Sequence, residues 1–386
     1  MDKIPRLMIP GPAEVSPSVL AELGGPVRAH YGTEWTAIHN ETLRLLQQVM
    51  GTENQVFLLP GSGSAANEAA IASLLRQGDK VIIGTNGMFG DRLIELAQAY
   101  GVQIIEVRAD PGTPLLPDQF AAALQRHPDS ALVAVVHLET STGVLNPVRA
   151  IAQAAHSVGI PIMLDAVSSL AGTELPLDEW GIDVCTSASQ KCLSAPPGLA
   201  IVAVSSNLWP QIERPGVRGW YLNLNTWRRY AIEWADWHPF PVTMPTNVVM
   251  ALREGLRQLV AVGLEQRLAR YRALAKRLRT GLIELGMPLV VPDELSAPVL
   301  SAAWVPEGTT SAEIVAYVLR EHGIQITRGF GALRDRVCRI GHMGPQVDEA
   351  LIDALLAALR DFVARHRNAS SVASDPLARP AAGERR

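Results

Sequence analysis

Strand-length apolar runs alternate with amphipathic stretches from residue 55 to residue 205, and no other feature limits the possible folds as strongly. Most of the runs are almost continuously apolar, which is typical of strands buried on both faces. This βαβ pattern predicts an α/β domain with a mostly parallel, seven-stranded sheet covered by helices. The predicted strands are Gln55–Leu59, Lys80–Ile83, Val102–Val107, Ala131–Leu138, Ile160–Leu164, Asp183–Ser187 and Leu199–Val204.

The sequence after residue 205 follows a different pattern. Residues 206–245 are rich in Trp, Pro and Asn, and we expect a long irregular segment there. A helical stretch with a break near Gly263 is predicted from Pro245 to Leu285. Short strands and two helices follow, which indicates a small C-terminal α+β domain. These elements are Val299–Val305, Ser311–His322, Ile324–Thr327, Val337–Ile340 and Val347–His366.

The pattern divides the chain into four parts. We expect an N-terminal arm at residues 1–20, a large α/β domain at 21–261 and a small α+β domain at 262–366. The last part, residues 367–386, is rich in Ser, Ala, Pro and Arg and has no periodicity, so we expect a disordered tail.

Composition narrows the classes of function. The charged fraction of 19% and the net charge of −4 favour neither a nucleic-acid nor a membrane partner. No apolar run reaches the roughly 18–20 residues of a spanning helix, and the N-terminus lacks a signal-peptide pattern. Three cysteines, Cys185, Cys192 and Cys338, have neither a disulfide framework nor metal-ligand spacing. We therefore expect a cytoplasmic protein without a metal site.

Candidate functional residues follow the predicted strands, at the sheet edge where open α/β sheets bind ligands. The Gly61–Ser64 turn joins the first strand to a helix, so backbone N–H groups could hold an anion there. An ordinary helix cap is the alternative. The turn is neither a dinucleotide fingerprint nor a P-loop. The Ser/Thr/Gly loop Glu139–Gly143 follows the fourth strand and adds hydroxyl groups at the same edge.

Two charged residues at the same edge complete the pattern. Asp165 closes an apolar strand, and a buried carboxylate is costly unless a cation such as a protonated pyridine nitrogen pairs with it. A helix cap or a salt bridge would also satisfy it. Lys191 is one of only four lysines, and its amine can form an imine, which arginine cannot. An ordinary surface lysine is the alternative. Together, an anion cradle, an aspartate and a lysine match the needs of pyridoxal phosphate.

Seven strings between residues 10 and 344 resemble, in content and order, the class V aminotransferases of fold type I, specifically the alanine/serine–glyoxylate aminotransferase group. The strings are Pro10-Gly11-Pro12, Gly61-Ser62-Gly63 with Glu68, Asn86-Gly87-Met88-Phe89-Gly90, Glu139-Thr140-Ser141-Thr142-Gly143-Val144, Asp165-Ala166-Val167-Ser168-Ser169, Ser189-Gln190-Lys191 with Ala195-Pro196-Pro197-Gly198, and Arg339-Ile340-Gly341-His342-Met343-Gly344.

The resemblance implies a role for each matching residue. Lys191 would bind the cofactor covalently and transfer the proton, and Asp165 would keep the pyridine nitrogen protonated. Arg339 would form a bidentate pair with the substrate carboxylate, which its planar guanidinium suits. The remaining cofactor ligands would be Ser62, Gly63, Ser64 and Gln190 at the phosphate, Phe89 on the ring face, Thr140 near the ring hydroxyl, and Thr243 at the phosphate of the neighbouring subunit.

Two aromatic positions depart from the family pattern. Phe89 replaces a frequent Trp or Tyr, and Phe240 replaces a frequent phosphate-binding Tyr, so the phosphate would be held less tightly or by another group. Phe89 as a core residue and Arg339 as a surface ion pair are the alternatives. We interpret the remaining aromatic residues of this region as hydrophobic contacts at a subunit interface, together with Phe240: Trp220, Trp227, Trp234 and Trp237.

The resemblance implies ping-pong transamination of a small amino acid, alanine or serine, with glyoxylate or pyruvate, in a homodimer with shared active sites. A ureidoglycine-type or pyridoxamine-type amine donor is an alternative. A lyase or cysteine desulfurase would need a mobile cysteine, and strand alternation should turn Cys338 away from the site. A non-catalytic pyridoxal-phosphate-binding regulator is a further alternative. Such regulators usually carry a DNA-binding domain, and here the first family string already begins at Pro10.

Overall fold

The computed structural model describes residues 4–216 and 218–373, with side chains described as far as His366. The strands are β1 Arg6–Leu7, β2 Gln55–Gly61, β3 Lys80–Thr85, β4 Gln103–Arg108, β5 Ser130–Val136, β6 Leu138–Glu139, β7 Val144–Leu145, β8 Ile162–Asp165, β9 Val184–Ala188, β10 Gly198–Val204, β11 Leu300–Trp304, β12 Ile324–Gln325, β13 Thr327–Arg328 and β14 Val337–Gly341. The helices are α1 Pro17–Leu23, α2 Thr33–Met50, α3 Gly63–Leu74, α4 Met88–Ala99, α5 Pro117–Arg126, α6 Val148–His156, α7 Leu177–Trp180, α8 Trp209–Ile212, α9 Leu224–Glu233, α10 Thr246–Val262, α11 Leu264–Glu284, α12 Ser311–His322 and α13 Glu349–Ala373.

A seven-stranded sheet forms the centre of the larger part of the molecule, in the order β2-β10-β9-β8-β5-β3-β4. Only β10 runs antiparallel to its neighbours β2 and β9, so the other six strands point the same way. The mostly parallel sheet and the α/β class are therefore confirmed. Because six carboxyl ends share one edge, the segments that follow β2, β8 and β9 come together there.

Local sequence explains where several helices begin and end. Gly51 follows α2 in the left-handed conformation, with φ of +59°, which glycine adopts without the steric cost of a side chain. Thr310 and Glu313 form a reciprocal capping box at the start of α12. Gly263 separates α10 from α11, so the predicted break is confirmed.

The C-terminal part has its own apolar core. Strands β11, β14 and β13 form a three-stranded sheet, helices α11 and α12 pack beside it, and α13 packs against these two helices. The buried residues around this sheet include Met8 from the N-terminus, Cys338 and Ile340. Strand β1 pairs in parallel with β12 in a separate two-stranded sheet, so the N-terminal segment belongs structurally to the C-terminal part.

Two predictions about irregular segments were wrong. Residues 206–245 contain α8 and α9, and Leu224 and Trp227 of α9 are buried in the main core. We did not predict α9, because few of its residues are aliphatic and its Trp- and Asn-rich sequence lacks the periodic apolar pattern of a helix. We expected the tail to begin at residue 367, but the last helix continues past His366 to Ala373. The rest of the predicted tail, residues 374–386, lies outside the described residues.

Across residues 4–216 and 218–373, none of the helices combines the length and the apolarity that a bilayer crossing requires.

Three buried histidines should make the fold sensitive to acid. Burial lowers the pKa of His39 to about 4, and those of His137 and His342 to about 3. The unfolded chain binds more protons than the native chain between these values and about 6.5, so stability rises with pH through this window. We expect a loss on the order of 1–2 kcal/mol per histidine between pH 7 and pH 5.

Urea unfolding at pH 7 and pH 5 measures this loss. His39→Phe should reduce it, because neither ring nitrogen of His39 has a hydrogen-bond partner in the described structure and the substituted ring cannot gain a proton. His322→Gln is the matched control, since His322 is exposed. Equal pH dependence in the native protein and in both variants would contradict the explanation.

Candidate functional site

A cavity of about 230 Å³ opens at the carboxyl edge of the central sheet. Seven of the nine predicted cofactor-binding residues line it: Ser62, Gly63, Ser64, Phe89, Asp165, Gln190 and Lys191. The remaining lining residues are Asn67, Arg92, Val136, Leu138, Val167 and Ser168. The sheet topology explains why these residues come together at one cavity. They lie in or beside the ends of neighbouring strands and the helices that follow them.

Asp165 is the last residue of β8 and is buried at the base of the cavity. Its carboxylate accepts hydrogen bonds from the Val167 amide at 2.9 Å and from the Asn67 carboxamide at 2.7 Å. Burial raises its pKa, although these two hydrogen bonds and the positive charges of Lys191 and Arg92 oppose the effect. No described cation forms an ion pair with Asp165, so a cationic ligand group would complete its environment.

Asn67 and Thr186 hold this carboxylate in place, and sequence reasoning missed both. The Thr186 hydroxyl donates to the Asn67 carboxamide oxygen at 2.5 Å, and the Asn67 carboxamide nitrogen donates to Asp165. Both residues are buried. A usable signal was present, since Asn67 is a polar residue in the small, apolar helix α3 and Thr186 lies inside a buried strand. Such residues need hydrogen-bond partners.

Lys191 follows β9, and its amine reaches the cavity from the side of the N-terminal segment. The amine donates a hydrogen bond to the Pro10 carbonyl oxygen. Burial lowers its pKa to about 8, with a further lowering from the Arg339 charge, while Cys192 and Asp165 act in the opposite direction. About a tenth of the amine is therefore neutral at pH 7, far more than for an ordinary lysine, and a nucleophile or a general base needs this neutral form.

The N-terminus of α3 forms one wall. Ser62 is the N-cap residue, but its side chain makes no capping hydrogen bond, and the backbone bonds to its carbonyl begin at Ala65. The amides of Gly63 and Ser64, which precede Ala65, have no intrahelical partner and suit an anion. A Cβ atom on Gly63 would lie 2.6 Å from Val167 Cγ2, so glycine permits the close packing of helix and strand end.

Glu139 fixes the wall that carries Phe89. Its buried carboxylate accepts hydrogen bonds from the amides of Phe89 and Gly90 at 3.0 and 3.2 Å, and from the Ser141 hydroxyl at 2.6 Å. It therefore caps α4 from the end of the short strand β6, although burial raises its pKa. The Phe89 ring is half-buried beside the cavity, with the Arg92 guanidinium carbon 4.9 Å from its centroid. Sequence reasoning missed this arginine.

Arg339 lies on β14 and does not line the cavity, although its charge acts on Lys191. Its guanidinium donates to the carbonyl oxygens of Arg328 at 2.8 Å and Thr140 at 2.9 Å, and stacks on the Phe330 ring at 4.0 Å. Burial lowers its pKa to about 10, and Glu139 opposes this. Arg339 is buried and has no ion-pair partner among the described carboxylates, so it is not a surface ion pair. Thr140 is buried beside it without lining the cavity.

Thr243 and Phe240 lie away from this cavity. Thr243 is exposed in the segment between α9 and α10, and its predicted contact with a neighbouring subunit stays a prediction. Phe240 is fully buried against the rings of His39 and His238, with centroid distances of 5.1 and 4.5 Å. Trp227 is also buried in the core. The interpretation of Phe240 and Trp227 as interface residues was therefore wrong, because this chain itself buries both.

The residues around the cavity fit pyridoxal phosphate. A helix N-terminus and the Ser62 and Ser64 side chains suit the phosphate, and the buried Asp165 suits a protonated ring nitrogen. The Lys191 amine suits the aldehyde. The buried carboxamide oxygen of Gln190 has no hydrogen-bond partner within the described structure, which leaves it available to a ligand.

Comparisons with known proteins agree with this geometry. The chain is 37% identical to the soluble hydrogenase small subunit of Synechococcus sp. (strain PCC 6716) over 91% of each chain. It superposes on the solved alanine–glyoxylate aminotransferase of Nostoc sp. with a TM-score of 0.90 and 32% identity, covering 95% of this chain and 96% of that one. The ureidoglycine–glyoxylate aminotransferase of Bacillus subtilis gives 0.88 and 31%, covering 95% of each. The family pattern described as Aminotransferase class-V matches residues 23–354. The chain therefore belongs to the class V aminotransferases, a pyridoxal-phosphate-dependent family.

Proposed function

We propose that this protein transfers an amino group from a small amino acid, of the alanine or serine type, to glyoxylate or pyruvate in a ping-pong reaction. One observation carries the proposal: the Lys191 amine and the buried Asp165 carboxylate meet at one cavity, beside a free helix N-terminus. Neither group has an ion-pair partner among the described residues. The similarity to glyoxylate aminotransferases supports the choice of acceptor.

The cofactor, when bound, supplies an electron sink that acidifies the Cα–H bond of the amino substrate. The chain's own residues do the rest. Lys191 accepts and returns the proton, because its pKa of about 8 leaves part of the amine neutral. The Asp165 carboxylate would stabilise the positive charge of the protonated ring nitrogen, and the backbone amides at the α3 N-terminus would bind the phosphate. Arg339 orients the substrate carboxylate beside the lysine.

Replacing Arg339 with methionine tests the last role. We expect the KM of the amino donor and of the oxo acid to rise by about 10²-fold, because one charge-assisted pair to the carboxylate is lost. Initial rates over a range of substrate concentrations measure the change. Arg334→Met is the control, since Arg334 is exposed. Unchanged KM values in Arg339→Met would remove Arg339 from the substrate site.

A donor and acceptor panel tests the function as a whole. Alanine, serine, ureidoglycine and pyridoxamine should each be added to the holoenzyme, and the cofactor absorbance followed in single half-reactions. We expect the absorbance to change with alanine or serine, with release of the matching oxo acid, and to return on addition of glyoxylate or pyruvate. A change with ureidoglycine or pyridoxamine alone would favour the alternative donors. Absence of any half-reaction would contradict transamination.

The desulfurase alternative lacks support from the cysteines. Cys338 is buried in the core of the C-terminal part, and burial raises the pKa of its thiol to about 12. Cys185 and Cys192 are buried as well. None of the three lines the cavity, whereas a desulfurase needs a reactive thiolate near the substrate.

We further propose a cytoplasmic homodimer with shared active sites. Three buried free cysteines are consistent with a reducing compartment. Several aromatic side chains are exposed, and a second copy would cover them: Tyr31 at 52%, Trp220 at 50%, Trp234 at 40% and Trp237 at 51%. Sedimentation of the holoenzyme tests the oligomeric state.

A further inference from the structure

We infer that Pro10 and Gly11 form a seat that positions the amine of Lys191, and that this seat links the lysine to the strand that carries Arg339. Its catalytic meaning rests on the proposed function, in which Lys191 is the reacting amine. The string Pro10-Gly11-Pro12 otherwise has no part in the proposed site.

The seat consists of a carbonyl group and the space left by a missing side chain. The Pro10 carbonyl oxygen accepts a hydrogen bond from the Lys191 amine. Gly11 has φ of +110°, and a Cβ atom there would lie 2.5 Å from Cδ and Nζ and 2.7 Å from Cε of Lys191. Any side chain at position 11 would therefore displace the end of the lysine.

Both ends of the segment that holds the seat are anchored. On one side, the Ala13 amide donates to the Gln190 carbonyl at 2.9 Å, directly before Lys191. On the other side, the Met8 amide donates to Gln325 at 2.9 Å, and the Gly341 amide donates to the Met8 carbonyl at 3.0 Å. Ala13 belongs to the main apolar core, whereas Met8 belongs to the core of the C-terminal part.

Through these contacts, the N-terminal segment links Lys191 to the strand that carries Arg339. Gly341 ends β14, two residues after Arg339, and a Cβ atom on Gly341 would overlap the Ile9 carbonyl oxygen. The N-terminal segment therefore lies against the arginine strand and against the lysine at the same time. A lysine side chain is long and flexible, so a seat that holds its amine preorganises the proton acceptor. Pro10 and Gly11 are positioning residues, since they act through Lys191.

Competitive isotopic acetylation of the cofactor-free protein tests the seat. The chain has four lysines, so peptide mass spectrometry follows each one across pH, and the exposed Lys276 serves as an internal reference. For the native protein we expect Lys191 to titrate with a midpoint of about 8. In Gly11→Ala the amine is pushed out of its buried position, so the midpoint should rise towards the ordinary lysine value. A rise of about one unit lowers its neutral fraction at pH 7.5 by about eightfold.

Gly78→Ala is the matched control. Gly78 also has a positive φ, of +86°, but nothing lies within 4 Å of its added Cβ atom. It therefore carries a similar backbone cost without contact to the lysine. In the holoenzyme, kcat of Gly11→Ala should fall at least about tenfold relative to Gly78→Ala, with less than about a threefold change in KM.

Glu14→Ala provides a second test if Gly11→Ala does not fold. The Glu14 carboxylate accepts a hydrogen bond from the Leu7 amide at 2.6 Å and pairs with Arg6 at 3.1 Å, so it braces the segment at a distance from Lys191. We expect a smaller rise of the Lys191 midpoint. An unchanged midpoint in folded Gly11→Ala, or in Glu14→Ala where the first variant is unfolded, overturns the seat. This readout needs no cofactor, whereas an active Lys191→Ala enzyme would overturn the proposed function alone.

Discussion

Replacing Lys191 with alanine is expected to abolish transamination, lowering kcat by at least about 10³-fold. The variant loses both the amine that bonds to the cofactor and the group that moves the proton. Half-reaction absorbance after addition of alanine or serine, together with oxo acid release, measures the loss. The visible absorption of lysine-bound cofactor should disappear as well.

Lys80→Ala is the control for this experiment. Lys80 forms a surface ion pair with Asp129 at 2.7 Å, far from the cavity, and its removal should leave turnover within about twofold of native. A purified, folded Lys191→Ala protein with undiminished turnover would show that another residue is the reacting amine.

The second large effect is expected for Asp165→Asn, which should lower kcat by about 10²–10³-fold. The substitution removes the negative charge that would hold the ring nitrogen protonated, but it keeps the size of the side chain. The hydrogen-bond relay can adapt, because the Asn67 carboxamide can turn over and the Thr186 hydroxyl can then accept. We therefore expect the fold to remain intact.

Steady-state rates and thermal unfolding of Asp165→Asn separate these contributions. Asp129→Asn is its surface control and mirrors the control used for the lysine. Nearly native kcat in Asp165→Asn would show that the carboxylate has only a structural role at the end of β8.

The fold and the centre of the site were predictable for a common physical reason. Apolar runs of strand length identify a buried parallel sheet, and the carboxyl ends of such strands meet at one edge. Lys191, Asp165 and the Gly61–Ser64 turn each follow a strand, so their meeting follows from the topology.

The surroundings of the site depend on tertiary contacts that periodicity does not encode. Asn67 supports Asp165 across 98 residues of sequence, and Glu139 caps a helix about 50 residues away. Helix α9 escaped prediction because its burial depends on Leu224 and Trp227, not on an aliphatic stripe. The role of Thr243 depends on a second subunit, whose position one chain's sequence does not give.

The pairing of β1 with β12 also bears on how the protein is made. Arg6 lies opposite Ile324, and the Met8 carbonyl meets the Gly341 amide, so contacts at the N-terminus wait for residues synthesised more than 300 positions later. Such long-range closure is slow and leaves the early segment without its partners during translation. A nascent chain that stops before β12 would have the central sheet, Asp165 and Lys191, but neither Arg339 nor the strand that pairs with β1. The lysine's surroundings are therefore completed near the end of synthesis, after the sheet that carries them.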